Sequence, residues 1–330
     1  HGPMRIGVTG SSGLVGFNFC KEALKNNDTL NILIRKDTEY LKQIDANVFY
    51  GDLNDKEVLD EFCEGCDVIV HSAAMISIGF DSYKEVYEVN YVGTKNLLDS
   101  CLRKKVKKFI YISSINAFNK KPIRDKLDES RELVKRGGSY DMTKAMGQEL
   151  VMSTDGIDKV SINPTSILGK NDFKPSRLGK VVKTLYAGKL PFLVNGGLDV
   201  IDVEDLSKAI YSSIKNGRDG EAYIISGKWR SFKEINNSVQ KNRDSKSFVL
   251  FFPKLFVEMN LPLLNLFPKS FLKKAADFNG KLFPGLENLT KESIENIINF
   301  PKNIDNSKAK KDLGLTISPL DKTVKDSIYG

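Results

Sequence analysis

Cysteine and histidine are scarce in this 330-residue chain: the cysteines are Cys20, Cys63, Cys66 and Cys101, and the histidines are His1 and His71. The C-x-x-C of Cys63-Glu64-Gly65-Cys66 has no second pair and too few histidines beside it to complete a zinc site, so no metal is expected. It reads as a redox dithiol or, more simply, as two small buried thiols. So low a cysteine content suits a reducing compartment. Also missing is an uninterrupted apolar run of about 20 residues, the length that spans a bilayer. The most apolar stretch, 248–271, is broken at Pro253, Pro262 and Pro268. No signal peptide is visible, His1-Gly2-Pro3 ahead of Met4 reads as a remnant of expression, and the expected location is cytoplasmic. Basic residues outnumber acidic ones, 50 to 42, for a net charge of +8. The lysines are scattered apart from Arg103-Lys104-Lys105 and Lys107-Lys108, and no aromatics interleave with that run. A nucleic-acid partner is therefore not expected, whereas the positive balance helps attract an anionic cofactor.

What is present is a regular alternation. Short apolar runs and helical periodicities succeed each other through the first two-thirds of the chain. They predict a parallel sheet covered on both sides by helices. Strands are expected near 4–9, 30–34, 47–50, 67–71, 108–112 and 158–162. Helices are expected near 14–26, 54–63, 81–102 and 139–154, the last capped by Ser139. Beyond Pro164 the pattern loosens, and Pro175, Pro191 and Gly196-Gly197 interrupt it.

The first strand, Arg5-Ile6-Gly7-Val8-Thr9, runs directly into Gly10-Ser11-Ser12-Gly13-Leu14-Val15-Gly16 and then into a helical pattern. Glycines across a strand-to-helix turn are a dinucleotide fingerprint. Gly10 permits the tight turn, Gly13 admits a diphosphate to the backbone, and Gly16 lets the helix pack on the sheet. Ser12 and Leu14 belong to the same cofactor-binding turn. The second strand, Leu30 to Ile34, ends at Arg35-Lys36. An acidic residue there would bind a ribose 2′-hydroxyl; an arginine accommodates a 2′-phosphate. Arg35 therefore favours NADP(H) over NAD(H), with Asp37 two residues on as the opposing signal.

Tyr140 and Lys144 stand four residues apart on one helix face. A cation beside a phenol favours the phenolate and lowers its pKa. Such a tyrosine can exchange a proton with an alcohol or carbonyl oxygen. The strand Lys108-Phe109-Ile110-Tyr111-Ile112 ends in Ser113-Ser114. Ligands of open parallel sheets bind beyond the carboxyl ends of strands, which puts Ser114, or its neighbour Ser113, in place to hydrogen-bond the substrate oxygen. His71 ends an apolar strand and reads as structural.

These residues, in this order, resemble the extended short-chain dehydrogenase/reductase superfamily over nearly the whole chain. The resemblance also draws on Gly51-Asp52-Leu53, His71-Ser72-Ala73-Ala74, Asn90-Tyr91-Val92-Gly93-Thr94, Asn163-Pro164-Thr165, Asp202-Val203-Glu204-Asp205-Leu206 and Gly220-Glu221-Ala222-Tyr223. Within the superfamily the chain is most similar to the dihydroflavonol-reductase-like and 3β-hydroxysteroid-dehydrogenase-like branches. The resemblance implies a Rossmann-type, doubly wound parallel sheet over 4–165. It implies a smaller C-terminal substrate lobe over 166–330, with some segments returning to the core. It implies catalytic Ser114, Tyr140 and Lys144, the lysine also holding the ribose. Cofactor contacts would come from Asp52 at the adenine amine, Leu53 on its ring, Ala73 and Ala74 along the dinucleotide, and Ser113. Pro164 and Thr165 would lie beside the nicotinamide, and Asn90 would support the site. Ser77, Asp172, Ser176 and Arg177 are candidate substrate contacts; Asp202 and Asp205 look structural.

The activity the resemblance implies is carbonyl reduction, or the reverse alcohol oxidation, of a small apolar substrate by hydride transfer, and two alternatives carry other chemistry. One is a nucleotide-sugar epimerase or dehydratase; the other is a dinucleotide-sensing protein without turnover. Sugar dehydratases of the superfamily carry Asp-Glu after the strand hydroxyls, where this chain has Ile115-Asn116. Sugar epimerases read Arg-x-x-Asn where it has Val160-Ser161-Ile162-Asn163. Both departures favour a reductase. The stretch 248–271 reads as a roof over an apolar substrate pocket, as lobe core or dimer contact, or as a surface that docks on a membrane.

Overall fold

The computed structural model describes residues 2–74, 82–260, 266 and 300–330. Strand β1 (Arg5–Thr9) turns into α1 (Leu14–Lys25), and β2 (Thr29–Ile34), β3 (Asn47–Tyr50), α2 (Lys56–Cys63) and β4 (Val68–His71) follow. Helix α3 (Tyr83–Tyr87) runs through a π-helical turn, Glu88–Val92, into α4 (Gly93–Arg103). Then come β5 (Lys108–Ile112), α5 (Ser139–Met152), β6 (Asp158–Pro164), β7 (Ser166–Leu168) and α6 (Arg177–Tyr186). The second half continues with β8 (Phe192–Val194), β9 (Gly197–Asp202), α7 (Val203–Asn216), β10 (Glu221–Ile225), β11 (Lys228–Ser231), α8 (Phe232–Gln240) and β12 (Leu250–Phe252). Helices Ser307–Leu313 and Leu320–Tyr329 stand near the end of the chain.

The main sheet has seven strands in the order β10-β6-β5-β4-β1-β2-β3, and each neighbouring pair is parallel. The period-two pleat sorts side chains to its two faces. Along β5, Ile110 and Ile112 join the layer containing Phe17, Phe19, Leu206 and Ile210 from α1 and α7. Phe109 and Tyr111 join the opposite layer, with Leu59 and Phe62 of α2 and Leu97 and Leu98 of α4. Each such fully buried aliphatic or aromatic side chain contributes about 1.5–3 kcal/mol. Covering both faces is what a parallel sheet requires. Strand order reverses between β1 and β4, which opens a crevice at their carboxyl ends.

The strands and helices expected from sequence are all present, with boundaries shifted by a residue or two. Strand β6 runs on to Pro164 because β10 pairs alongside it, Ile224 with Asn163 and Ile225 with Pro164. The expectation of Ser139 as N-cap is corrected: Gly138 holds that position without a side-chain cap, and Ser139 is the first helical residue. Beyond β6, a three-stranded sheet β11-β9-β7 and the pair β12-β8 enclose a separate apolar cluster with α6, α8 and the Leu320–Tyr329 helix. Of the apolar stretch 248–271, Leu250–Phe252 form β12, while Phe248, Leu255, Met259 and Leu266 are exposed. Residues 261–265 and 267–271 lie outside the described residues. No helix among the described residues is long and apolar enough to cross a membrane.

Candidate active site

Gly10 has φ +71°, and a Cβ there would stand 2.7 Å from the Ala73 nitrogen. Only glycine lets the end of β1 pass so close to the end of β4. At Gly16 a Cβ would lie 2.6 Å from the Gly10 carbonyl carbon, so this glycine lets α1 rest on the turn. Gly13 is the N-cap of α1 and brings no side-chain cap. A Cβ on it would meet only the Gly10 carbonyl oxygen, at 3.4 Å. The turn is therefore open on that side, with the first N–H groups of α1 left for a ligand. Two unpartnered hydroxyls support the same reading. Ser11 Oγ and Ser113 Oγ are buried, at 0% and 3% residue exposure, with no hydrogen-bond partner among the described residues. Buried polar groups rarely stay unpaired, and the set fits a bound dinucleotide.

Asp52, expected at the adenine, is exposed and its Oδ1 accepts the N–H of Asn54 at 2.8 Å. Leu53 is buried against Gly93, where a Cβ would stand 2.7 Å from Leu53 Cδ1. Arg35 is exposed at the end of β2, and no described carboxylate forms an ion pair with it. Asp37, the opposing signal for cofactor choice, accepts a hydrogen bond from the Tyr50 phenol at 2.7 Å.

Behind Ala73 lies a buried chain of hydrogen bonds. The N–H groups of Ser72 and Ala73 donate to Thr9 Oγ1, each at 3.1 Å. Thr9 Oγ1 stands 2.7 Å from His71 Nδ1, and His71 Nε2 stands 2.9 Å from Thr94 Oγ1. Thr94 donates in turn to the Asn90 carbonyl at 2.8 Å. One proton arrangement satisfies every atom: Thr9 donates to Nδ1, and Nε2–H donates to Thr94. Burial, aided by the charge of Lys144, pushes the His71 pKa down to about 3. The imidazole is neutral and structural, as its strand-end position suggests.

Ser114 begins the short 3-10 turn after β5 and accepts the N–H of Asn116 on its Oγ at 3.1 Å. Its hydroxyl also acts on the phenol of Tyr140, in the first turn of α5. Burial pushes that phenol up to about 12 and Asp141 adds to the rise; Arg177 and Ser114 pull it down. The expectation that Lys144 lowers the tyrosine pKa is corrected here. Lys144 is 3% exposed, donates to the Ile112 carbonyl at 2.6 Å and lies 4.6 Å from the centre of the Tyr111 ring. Burial pushes its own pKa down to about 7. The cation acting on Tyr140 is Arg177, at the start of α6.

Two positioning groups, Asn163 and Gln148, escaped the sequence, whereas Asn90 was expected to support the site. Asn163 Nδ2 donates to the Ser114 carbonyl and to Gln148 Oε1, both at 2.8 Å, and its Oδ1 accepts from Ser161 Oγ at 2.9 Å. It thus ties the end of β5 to α5. Asn90 sits in the π-helical turn, a feature frequent at functional sites, and donates to Thr143 Oγ1 at 3.1 Å. Gln148 lies four residues beyond Lys144 on the same face, a spacing that could have revealed it.

Other expected residues are placed as follows. Pro164 is buried at the end of β6. Thr165 donates to Asp199 Oδ1 at 2.6 Å, so its hydroxyl is engaged within the fold; burial lifts Asp199 to about 6 against that bond and the Gly227 N–H. Asp172 accepts from Ser176 N and Oγ, and Ser176 caps α6 through the N–H of Gly179. Both thus have polar atoms committed to a helix start. Asp202 caps α7 and Asp205 accepts from Ser318, the structural roles expected. Ser77 lies outside the described residues. Cys63 and Cys66 are buried free thiols, and Cys63 Sγ stands 3.8 Å from Cys101 Sγ.

A model of the NAD dependent epimerase/dehydratase family matches residues 6–226. Sterol demethylase protein B of Methylococcus capsulatus is 28% identical over 233 residues, which are 69% of this chain and 71% of that one. Vestitone reductase of Medicago sativa is 28% identical over 254 residues, 68% of this chain and 77% of its own. Among solved structures, gox2253 gives a TM-score of 0.78 at 22% identity, over 99% of this chain and 97% of that chain. UDP-glucuronic acid 4-epimerase from Bacillus cereus, in complex with NAD, gives 0.74 at 19%, over 98% and 97%. At such identities the likeness to the solved structures is one of fold.

Proposed function

The chain belongs to the NAD dependent epimerase/dehydratase family, and on that premise we propose that it is an oxidoreductase reducing the carbonyl, or oxidising the alcohol, of a small apolar substrate. The bound nicotinamide supplies or accepts the hydride. Tyr140 exchanges the proton at the substrate oxygen, and Ser114 donates a hydrogen bond to that oxygen as charge develops on it. The observation that carries this reading is the Ser114 hydroxyl acting on the Tyr140 phenol, whose pKa it helps to lower. Because Ser114 Oγ already accepts the Asn116 N–H, its own proton is available to donate. Lys144 holds the ribose from beneath, and Asn163 and Asn90 keep β5 and α5 in register.

The dinucleotide is read as NADP(H): Arg35 takes the 2′-phosphate, and Asp37 is drawn toward Tyr50. The turn of Gly10, Ser12, Gly13, Leu14 and Gly16 holds the diphosphate, with Asp52 and Leu53 at the adenine and Ala73 and Ala74 along the chain. The substrate lobe is drawn from residues 166–330, from which α7 and β10 return to the main sheet and its covering layer, and Arg177 acts on the phenol from the start of α6. A sterol in one relative's name and a reductase in another's support an apolar carbonyl compound.

The test supplies NADPH with a panel of apolar ketones and follows nicotinamide absorbance. A reductase consumes the reduced form. An epimerase returns its hydride and shows no net change while its product still accumulates, and that result would displace this reading. Tyr140→Phe should bind dinucleotide within about threefold of the parent and lose 10²-fold or more in turnover, roughly the scale of general acid catalysis.

A further inference from the structure

Lys174 stands in the loop between β7 and α6, yet its ammonium donates to Ser12 Oγ in the glycine turn at 3.1 Å, 162 residues away in sequence. Ser12 directly precedes Gly13, the N-cap of α1. We propose that Lys174 is a phosphate ligand of the dinucleotide, delivered to the glycine turn from the loop that leads into α6. This rests on the dinucleotide-binding reading above and adds a residue from outside the nucleotide-binding half.

The loop is fastened on both sides of the lysine. Toward β7, Asn18 of α1 donates to the Lys170 carbonyl at 3.0 Å, and Asn171 donates back to Asn18 Oδ1 at 3.0 Å. Beside the lysine, the Phe173 ring stacks on Tyr40, with centroids 4.5 Å apart and planes at 16°. Phe17 meets both rings edge-on, at 5.0 and 5.9 Å. The Tyr40 phenol then donates to the Ser12 carbonyl at 2.9 Å. Toward α6, Asp172 and Ser176 close the loop on the helix start. Lys174 is thus led to the turn by an aromatic stack that also grips the turn's backbone.

Electrostatics identify what the lysine is for. The amino end of a helix carries partial positive charge, where a cation is disfavoured and an anion stabilised. The first turn of α1 holds no acidic residue, and no described carboxylate forms an ion pair with Lys174. Arg35, at the end of the neighbouring strand, adds a further positive charge. A neutral serine hydroxyl is a weak reason to order a long lysine side chain, which gives up much rotamer freedom when held. The fully buried and unpartnered Ser11 Oγ in the same turn is a second sign that a ligand completes the site. A phosphate satisfies all of these groups together. The same loop reaches Arg177 three residues later, so the segment that touches the phosphates also carries the cation acting on Tyr140.

The experiment titrates the full chain with NADPH and separately with NADH, following nicotinamide fluorescence, for the parent, Lys174→Gln and Lys174→Arg. Thermal melting without dinucleotide verifies that the variants are folded. Lys174→Gln should weaken binding roughly 5- to 30-fold, the range of a charge-assisted contact, and Lys174→Arg should stay within about threefold. A loss for both dinucleotides identifies the diphosphate as the partner; a loss for NADPH alone identifies the 2′-phosphate. Affinities of Lys174→Gln within twofold of the parent for both dinucleotides overturn the assignment and leave the oxidoreductase reading intact. A parent chain that binds neither dinucleotide overturns both.

Discussion

The ammonium of Lys144 donates to the Ile112 carbonyl at 2.6 Å, which fastens the middle of α5 to the end of β5. The Tyr111 phenol returns the bond at 3.3 Å, donating to the Lys144 carbonyl. The lysine is therefore held under the site as a buried group whose charged form is disfavoured, with its pKa pushed down to about 7. Tyr140, pushed up to about 12, keeps its proton throughout the neutral range. In the dinucleotide-free protein the phenol is accordingly poised as a donor, the protonation state that carbonyl reduction needs at its start.

Burial of Lys144 predicts a pH-dependent stability. The native ammonium titrates near 7 and the unfolded one near about 10.4. Above the unfolded value both states are neutral and no penalty exists. As pH falls, the unfolded chain takes up a proton that the native chain refuses, and stability is lost until the native lysine is charged below about 7. Lys144→Met should therefore be more stable than the parent at pH 6, by on the order of 3–5 kcal/mol less the lost hydrogen bond, and the gap should close toward pH 10. Urea unfolding of the dinucleotide-free protein measures it; a gap that is constant with pH speaks against a buried, depressed lysine.

Removing the Ser114 hydroxyl separates orientation from binding. Ser114→Ala should lower kcat by roughly 10²-fold, the scale of losing one donor to a developing oxyanion. The Kd for NADPH should stay within about twofold, since in the proposed geometry this hydroxyl faces the substrate oxygen. Equal losses in both would make Ser114 a cofactor contact.

The strands and the glycine turn were legible because their signals are local. Thr29–Ile34 and Lys108–Ile112 are short apolar runs, and Gly10, Gly13 and Gly16 sit at fixed offsets in one turn. Tyr140 and Lys144 were legible by helical spacing. What their environment does to them was not, since it depends on burial and on Arg177 arriving from α6. Asn163 meets Ser114 across 49 residues and Thr165 meets Asp199 across 34; no periodicity encodes such pairs. Asp172 and Ser176 were expected at the substrate, although a serine directly before a helical pattern was itself a capping signal.

Arg35 decides the dinucleotide in the reading above, and its reversal is predictable. Arg35→Asp should weaken NADPH binding by about 10-fold or more through repulsion of the 2′-phosphate, while NADH binding holds or improves. The ratio of the two Kd values is the measurement. A ratio unchanged from the parent would remove Arg35 from cofactor choice.

Gly147 sets how closely α5 approaches the sheet. A Cβ there would stand 3.0 Å from Tyr111 Cζ, nearer still to its hydroxyl, and 3.3 Å from the Asn90 carbonyl. Gly147→Ala gains up to about 1 kcal/mol in helix propensity, but the methyl group must displace a fully buried ring. Overpacking of about 1–3 kcal/mol outweighs the gain, so the variant should unfold at lower urea. Turnover should fall as well, because Tyr111 and Lys144 are hydrogen-bonded across this contact. A variant more stable than the parent would show that α5 has room the geometry denies.

The His71 chain links the Ser72 and Ala73 backbone, through Thr9, to Thr94 and Asn90, and acid should break it. His71 is 1% exposed with its pKa pushed down to about 3, against about 6.5 unfolded. Above 6.5 both states are neutral. As pH falls from 6.5 toward 3, only the unfolded chain gains the proton, and stability drops by up to about 1.4 kcal/mol per unit. Charging the ring would also turn Nδ1 into a donor facing the Thr9 hydroxyl, which already receives two N–H bonds. Thr9 would then have to give up its donor role within an otherwise buried network. His71→Gln retains one donor and one acceptor without a titrating group. It should be less stable than the parent at pH 8 and lose less stability between pH 6.5 and 4. Parallel pH profiles for the two proteins would mean that acid acts elsewhere.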